Sequence, residues 1–313
     1  MPQPVQSASG PQQPIRCFVV GCPRSGTTLL TSIISGHPKL VGTLFEAHFF
    51  SIWRALRRNQ DPASKCVLFD QFRASMNDAA LGAPGDPIPE PNEFIAAMDE
   101  IALRKNMLGW VEKTPENLHH IDAILAVAPD AKFIHVVRNA GAVLASGISR
   151  SIRDQSCTWN PAYTRFRSAF NEWMRAMEQT RRWQSHPNHL VVEYAEFCRA
   201  PDTEIERIGQ FLGLETSEEM LTSAVAPSGL REQLKEEHAR GFGVRTEQWD
   251  QFKRVFPGLK GPVVRLLSFG GAPKWWLRMP ILSRGQDFLL RQRGGALDRW
   301  LTPEIEIAPA DPA

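Results

Sequence analysis

The chain has 313 residues, of which 42% are hydrophobic and 22% charged, and it carries a net charge of +2. This is ordinary globular composition, ample for a buried core in one large domain or one domain with a cap. The small net charge excludes global basicity as a route to nucleic acid, so any basic site is local.

In chain order, residues 1–14 are rich in Pro, Gln and Ser with no apolar run, which predicts a disordered leader and not a signal peptide. Phe18, Val19 and Val20 make a β-rich apolar run that Gly21 ends. Gly26, Thr27 and Thr28 then open a segment with apolar residues at Leu29, Leu30, Ile33 and Ile34. Strand, tight loop and helix follow one another, with backbone N–H groups converging at the helix start to cradle an anion. The spacing nearly matches the phosphate-binding pattern G-x-x-x-x-G-K-[ST]. Gly21, Gly26 and Thr28 fit it, but Thr27 stands where the lysine belongs. The positive charge lies inside the loop instead, on Arg24, whose planar fork suits tetrahedral oxyanions.

His37-Pro38 breaks the helix, residues 40–44 read as a short strand, and Glu46 follows at a strand-to-helix junction. There it either faces a site or complements the helix dipole. Phe49, Phe50, Trp53 and Leu56, with Arg54, Arg57 and Arg58 between them, predict an amphipathic helix. Residues 81–91 are a Pro- and Gly-rich loop, and Phe94 to Leu103 is helical. Leu108 to Val111 is a strand that delivers Glu112, Lys113 and Thr114, and Pro115 starts a helix with Leu118, Ile121, Ile124 and Leu125 inside. Lys113 at such a strand end faces a ligand crevice or is surface charge.

Lys132 to Val137 reads as a buried strand ending in Arg138. An ATPase strand at this place normally ends in an acidic residue that helps hold Mg²⁺. The next helix, from Ala140, puts Ser146 two turns beyond Arg138, and the pair predicts a second phosphate site. Tyr163 to Trp183 reads as a long amphipathic helix with Phe166, Phe170, Trp173 and Met177 as its core stripe, and 190–194 is a further strand. Strands alternating with helices predict a mostly parallel sheet with helices on both faces. The expected organisation is a main domain over 15–256, with a helical insertion at about 46–106, and a basic, aromatic extension over 257–313. That extension either packs on the domain or touches a membrane surface. No run is long enough to span a bilayer. Cys17, Cys22, Cys66, Cys157 and Cys198 contain no C-x-x-C pair, which predicts reduced thiols, a cytoplasmic location and neither a zinc knuckle nor a disulfide framework.

Residues 18–28 resemble the 5′-phosphosulfate loop of sulfotransferases that use 3′-phosphoadenosine 5′-phosphosulfate (PAPS). Phe133-Ile134-His135-Val136-Val137-Arg138-Asn139, with Ser146 eight residues after the arginine, is similar to their 3′-phosphate motif. Glu193-Tyr194-Ala195-Glu196-Phe197 with Pro201 and Phe211-Leu212-Gly213 is similar to the strand and helix that follow. The resemblance spans about residues 16–250 and implies a P-loop NTPase-like three-layer α/β sandwich. It further implies PAPS as donor, adenosine 3′,5′-bisphosphate (PAP) as product, a hydroxyl-bearing acceptor and no metal.

Histidine-base members of the family carry Lys-Thr-His where this chain has Lys113-Thr114-Pro115. Tyrosylprotein-type and several bacterial members place a glutamate about twenty residues beyond the loop arginine, a position that Glu46 matches. The resemblance therefore implies Glu46 as base, with His119 and His120 as fallback candidates, and Arg24 and Lys113 as the groups that stabilise transferring charge. Ser25, Gly26, Thr27, Thr28, Arg138, Ser146, Tyr194 and Arg245 join Arg24 as cofactor-binding candidates. A kinase or nucleotide hydrolase using ATP or GTP, and a non-catalytic nucleotide or sulfated-ligand binding module, stay open as alternatives. Acceptor class and oligomeric state are open as well.

Overall fold

The computed structural model describes residues 13–43, 45–153, 161–216, 252–258, 260–267 and 297–302. Arg245, Cys157, almost all of the expected leader and most of the C-terminal extension lie outside the described residues.

Among the described residues, five parallel strands form one sheet: β1 (Ile15–Gly21), β2 (Leu40–Gly42), β3 (Gly109–Lys113), β4 (Lys132–Val137) and β5 (His189–Glu193). Their order is β2-β3-β1-β4-β5, with Phe18 opposite Glu112 on one side and Phe133 on the other. The chain leaves β1 for one edge, returns through β3 and then crosses to β4. This reversal opens a crevice at the carboxyl end of β1, the usual ligand position in such a sheet.

Side-chain alternation along β1 builds two cores. Phe18 and Val20 enter a large cluster with Trp110 and Phe133. Cys17 and Val19 enter a second one with Val111, Ile134 and Val192. Helices α1 (Thr27–Ile34), α8 (Tyr194–Arg199) and α9 (Pro201–Leu212) cover the second face. The first face is covered by α2 (Phe49–Arg57), α3 (Ala63–Met76), α4 (Pro91–Arg104), α5 (Ile121–Val127), α6 (Ala140–Arg153) and α7 (Phe166–Trp183). This is the mostly parallel sheet with helices on both faces that the sequence pattern predicts, and the three-layer, P-loop-like α/β sandwich that the resemblance implies. The α7 stripe Phe166, Phe170, Trp173 and Met177 is buried core, as its spacing predicts.

Helices α2, α3 and α4, over the stretch expected as an insertion, pack around Phe49, Phe50, Phe69, Phe72 and Phe94. The Phe49 and Phe94 rings stack at 4.3 Å. Arg73, 3% exposed, donates to the carbonyls of Leu81, Asp86 and Pro87 and so ties down the proline-rich loop that follows. Three boundaries differ from expectation. The segment opened by Pro115 is a 3-10 turn to His119 before α5, because His120 at φ −122° breaks the helical path. α7 begins at Phe166, after a separate turn over Pro161–Thr164. Tyr194 opens α8 instead of ending β5.

Candidate active site

Each of the five described strands delivers a candidate residue at or after its carboxyl end. β1 leads into Cys22-Pro23-Arg24-Ser25, β2 into Glu46, β3 ends in Lys113, β4 precedes Arg138 and β5 precedes Tyr194. The parallel register places these ends along one edge of the sheet. Residues far apart in sequence are thereby assembled by the topology.

The loop after β1 starts with a turn closed by Ser25 N–H on Cys22 O at 3.1 Å. Pro23 suits the first central position. Arg24 takes the second at φ 71°, a left-handed conformation that costs a non-glycine residue about 1–2 kcal/mol. The side chain kept at that cost reaches across to α6, where Arg24 Nε donates to Ser146 Oγ at 3.1 Å. Gly26, at φ 105°, caps the start of α1. A Cβ there would stand 2.4 Å from the Tyr194 ring, so this glycine serves both the turn and the seating of the ring. The Arg138 guanidinium lies over the same ring at 4.1 Å, a cation–π contact, and donates to Arg24 O at 3.3 Å. Arg24, Arg138, Ser146 and Tyr194 are thus one contiguous group.

A second group surrounds Glu46. Lys113, 4% exposed, donates to Glu46 Oε1 at 2.5 Å and to Thr28 Oγ1 at 3.2 Å. It therefore links the helix that follows the anion loop to the carboxylate. His48 Nε2 sits 3.1 Å from Glu46 Oε2, while its Nδ1 faces Glu116 at 3.7 Å, a charge contact beyond hydrogen-bond length. Glu116 also pairs with Lys65 of α3 and accepts from Ser51. Burial pushes the Glu46 carboxyl up, but the His48 hydrogen bond and the Lys113 charge outweigh it and hold it below the usual range. Burial lowers His48, yet the carboxylates of Glu116 and Glu46 raise it to about 9.

The backbone beside Glu46 is pinned by the end of β3. Ala47 N–H donates to Glu112 Oε1 at 3.2 Å, and His48 N–H donates to Thr114 Oγ1 at 3.1 Å. Thr114 and Asn117 hold Glu112 in turn, while burial raises its carboxyl above the usual range.

Of the sequence candidates, the structure brings Glu46, Lys113 and Thr28 together, and Arg24 joins Arg138 and Ser146. His119 presents its backbone carbonyl to Arg54, and His120 Nε2 lies 3.1 Å from Ser51 Oγ. Neither imidazole contacts Glu46 in the described hydrogen bonds. Burial, together with Arg54, lowers His120 to about 4. His48, Glu112, Thr114, Glu116 and Lys65 were not among the candidates. The one signal for His48 was its place two residues after Glu46, ahead of an amphipathic helix. Among the described residues, no group of three or more His, Cys, Asp or Glu side chains is placed to hold a metal ion. None of their helices is long and apolar enough to cross a membrane.

Comparison with known proteins gives this geometry its context. A Caenorhabditis briggsae protein, provisionally named as a protein-tyrosine sulfotransferase, is 28% identical over 207 residues, which are 65% of this chain and 67% of that one. The sulfotransferase domain from the curacin biosynthetic pathway superposes with a TM-score of 0.50 at 15% identity, covering 78% of this chain and 98% of that chain. A sulfotransferase domain from a Synechococcus olefin synthase covers 80% of this chain and 98% of its own, with 21% identity and a TM-score of 0.47. The model of the sulfotransferase family matches residues 16–218, the stretch that holds both groups of site residues, and the chain belongs to that family.

Proposed function

We propose that this sulfotransferase draws on PAPS, releases PAP and sulfates an acceptor hydroxyl with Glu46 as general base. The observation that carries the reading is the chain from Glu46 through Lys113 to Thr28, in which a carboxylate and a buried ammonium meet the start of the loop helix.

The residues fit such a donor at both ends. The Ser25 hydroxyl, in the loop, is fully buried and has no hydrogen-bond partner among the described residues. Ser25, Gly26, Thr27 and Thr28 would hold the 5′ end at the start of α1, where the first amides of a helix carry no internal partner. Arg138 and Ser146 would hold the 3′-phosphate, with Arg24 bridging the two ends and Tyr194 seated against Gly26 and Arg138. When bound, PAPS supplies an activated sulfuryl group.

Lys113 offsets negative charge developing beside the loop, in a site where burial strengthens such a contact. Glu46 accepts the proton from the acceptor hydroxyl at a carboxylate oxygen. Its lowered pKa keeps it ionised and weakens it as a base. Its proton affinity recovers when Lys113 Nζ turns from Oε1 toward the loop. His48 and the backbone pins on Ala47 and His48 fix the direction in which the carboxylate faces.

The acceptor side is formed by the insertion, and Phe45, next to Glu46, is half exposed. An exposed ring beside the base, and the name carried by the nematode relative, make tyrosyl peptides the first acceptors to try. Saccharides, lipids and small hydroxyl compounds follow. The test pairs calorimetric titration of PAP and ATP–Mg²⁺ with a mass-shift screen of PAPS transfer over these classes. The expected result is tighter binding of PAP and transfer to at least one acceptor. Preference for ATP–Mg²⁺ would favour a kinase or hydrolase, and PAP binding without any transfer would favour a binding module.

A further inference from the structure

Tyr163 belongs to none of the motifs, yet it touches both of the elements expected to grip the donor. It lies in the short turn Pro161–Thr164 between α6 and α7 and is fully buried. Its hydroxyl donates to Pro23 O, in the turn of the loop, at 3.0 Å. The Cys22 thiol stands 3.4 Å from the same oxygen. Burial raises both the phenol and the thiol above their ordinary ranges, so both keep their protons. The direction of the bonds follows: Cys22 S–H donates to the phenol oxygen, and the phenol O–H donates to the carbonyl.

The ring has a second contact. A Cβ placed on Gly147 would fall 2.0 Å from Tyr163 Cδ1, so the ring occupies the space that a side chain on α6 would need. Gly147 is the neighbour of Ser146, on which Arg24 Nε rests. The carbonyl next along the turn, that of Arg24, accepts from Arg138. Two successive carbonyls of the strained turn are therefore held by groups from the opposite phosphate side, one by Tyr163 and one by Arg138.

We infer that Tyr163 is a positioning residue that locks the β1 loop to α6, so that filling the 3′-phosphate subsite pre-orders the loop for the 5′ end. This rests on the reading that the loop and the Arg138–Ser146 pair hold the two ends of one nucleotide. Coupling of this kind arises when two subsites bias one shared arrangement of the turn. Without the phenol hydroxyl, the ring still fills the space beside Gly147 but no longer restrains Pro23 O.

The experiment is calorimetric titration of the full chain with PAP and with adenosine 5′-phosphate, for the wild type, Tyr163→Phe and Gly147→Ala. The readout is the gain in affinity that the 3′-phosphate brings, with the thermal midpoint recorded beside it. The wild type should show a large gain, and Tyr163→Phe should reduce it about three- to tenfold, the worth of one net hydrogen bond. Gly147→Ala, which displaces the ring from the other side, should reduce it in the same direction. A lowered thermal midpoint with an unchanged gain in Tyr163→Phe would overturn the inference, because a merely structural residue weakens both ligands alike. Absence of PAP binding by the wild type would overturn the donor reading itself, and the inference with it.

Discussion

Lys113 Nζ stands 2.5 Å from Glu46 Oε1, and the same nitrogen is 3.2 Å from Thr28 Oγ1. One buried ammonium thus contacts the candidate base and the helix that opens from the anion loop. In water such an ion pair contributes little. Lys113 is only 4% exposed, and its charge joins the hydrogen bond from His48 in holding the Glu46 carboxyl below its usual range. In the proposed transfer that ammonium serves both partners in turn, and it lies within hydrogen-bond reach of each.

At the proposed 3′-phosphate subsite, Arg138→Ala should weaken PAP by about 10- to 100-fold, the worth of the charge-assisted hydrogen bonds it would remove. Adenosine 5′-phosphosulfate, which lacks the 3′-phosphate, should lose far less. Paired titrations of the two nucleotides check this, and equal losses would remove Arg138 from the 3′ subsite.

Arg24 tests the strained turn. Arg24→Gly relieves the left-handed backbone at φ 71° and should leave stability unchanged or raised by about 1 kcal/mol. It should nevertheless abolish sulfuryl transfer, because the guanidinium that bridges the loop and Ser146 is gone. Urea unfolding together with a transfer assay separates the two effects. A stabilised variant with wild-type turnover would show that the side chain is not part of the site.

Two sets of histidines set opposite limits on stability against pH. Burial lowers His135 to about 3 and His189 to about 4, from 6.5. The unfolded chain therefore takes up their protons first as the solution is acidified. Their contribution is full above about pH 6.5 and is lost as pH falls through 4 toward 3. His48, raised to about 9, has the reverse sign: its contribution is full below about pH 6.5 and is lost as pH rises through 9. Urea midpoints measured from pH 4 to 10 should fall at both ends. His48→Gln should remove the alkaline fall and leave the acid one.

The parts of this site that were legible in the sequence are those fixed by local backbone chemistry. Gly21, Gly26 and the Thr27-Thr28 pair mark a strand, loop and helix because few other residues meet those steric demands. Arg138 announces itself by ending an apolar strand. The charge network around Glu46 was not legible, because its members come from the ends of β2 and β3 and from α3, and only the tertiary arrangement brings them together. His48 and Glu116 are 68 positions apart, and nothing local to either predicts the contact. The pairing of Arg24 with Ser146 was hidden for a similar reason: it depends on a left-handed φ at a residue that usually avoids one. Tyr163 was absorbed into the expected start of a long helix, and only the break before Phe166 frees its hydroxyl to reach Pro23.

The most direct test of the account is Glu46→Gln, measured for PAP affinity by calorimetry and for single-turnover transfer from PAPS to an acceptor found in the screen. The amide keeps the shape of the carboxylate but cannot take the proton. The account predicts PAP affinity within about threefold of wild type and transfer slowed by about 10²–10⁴-fold, the usual worth of a general base. Wild-type transfer by Glu46→Gln would contradict it.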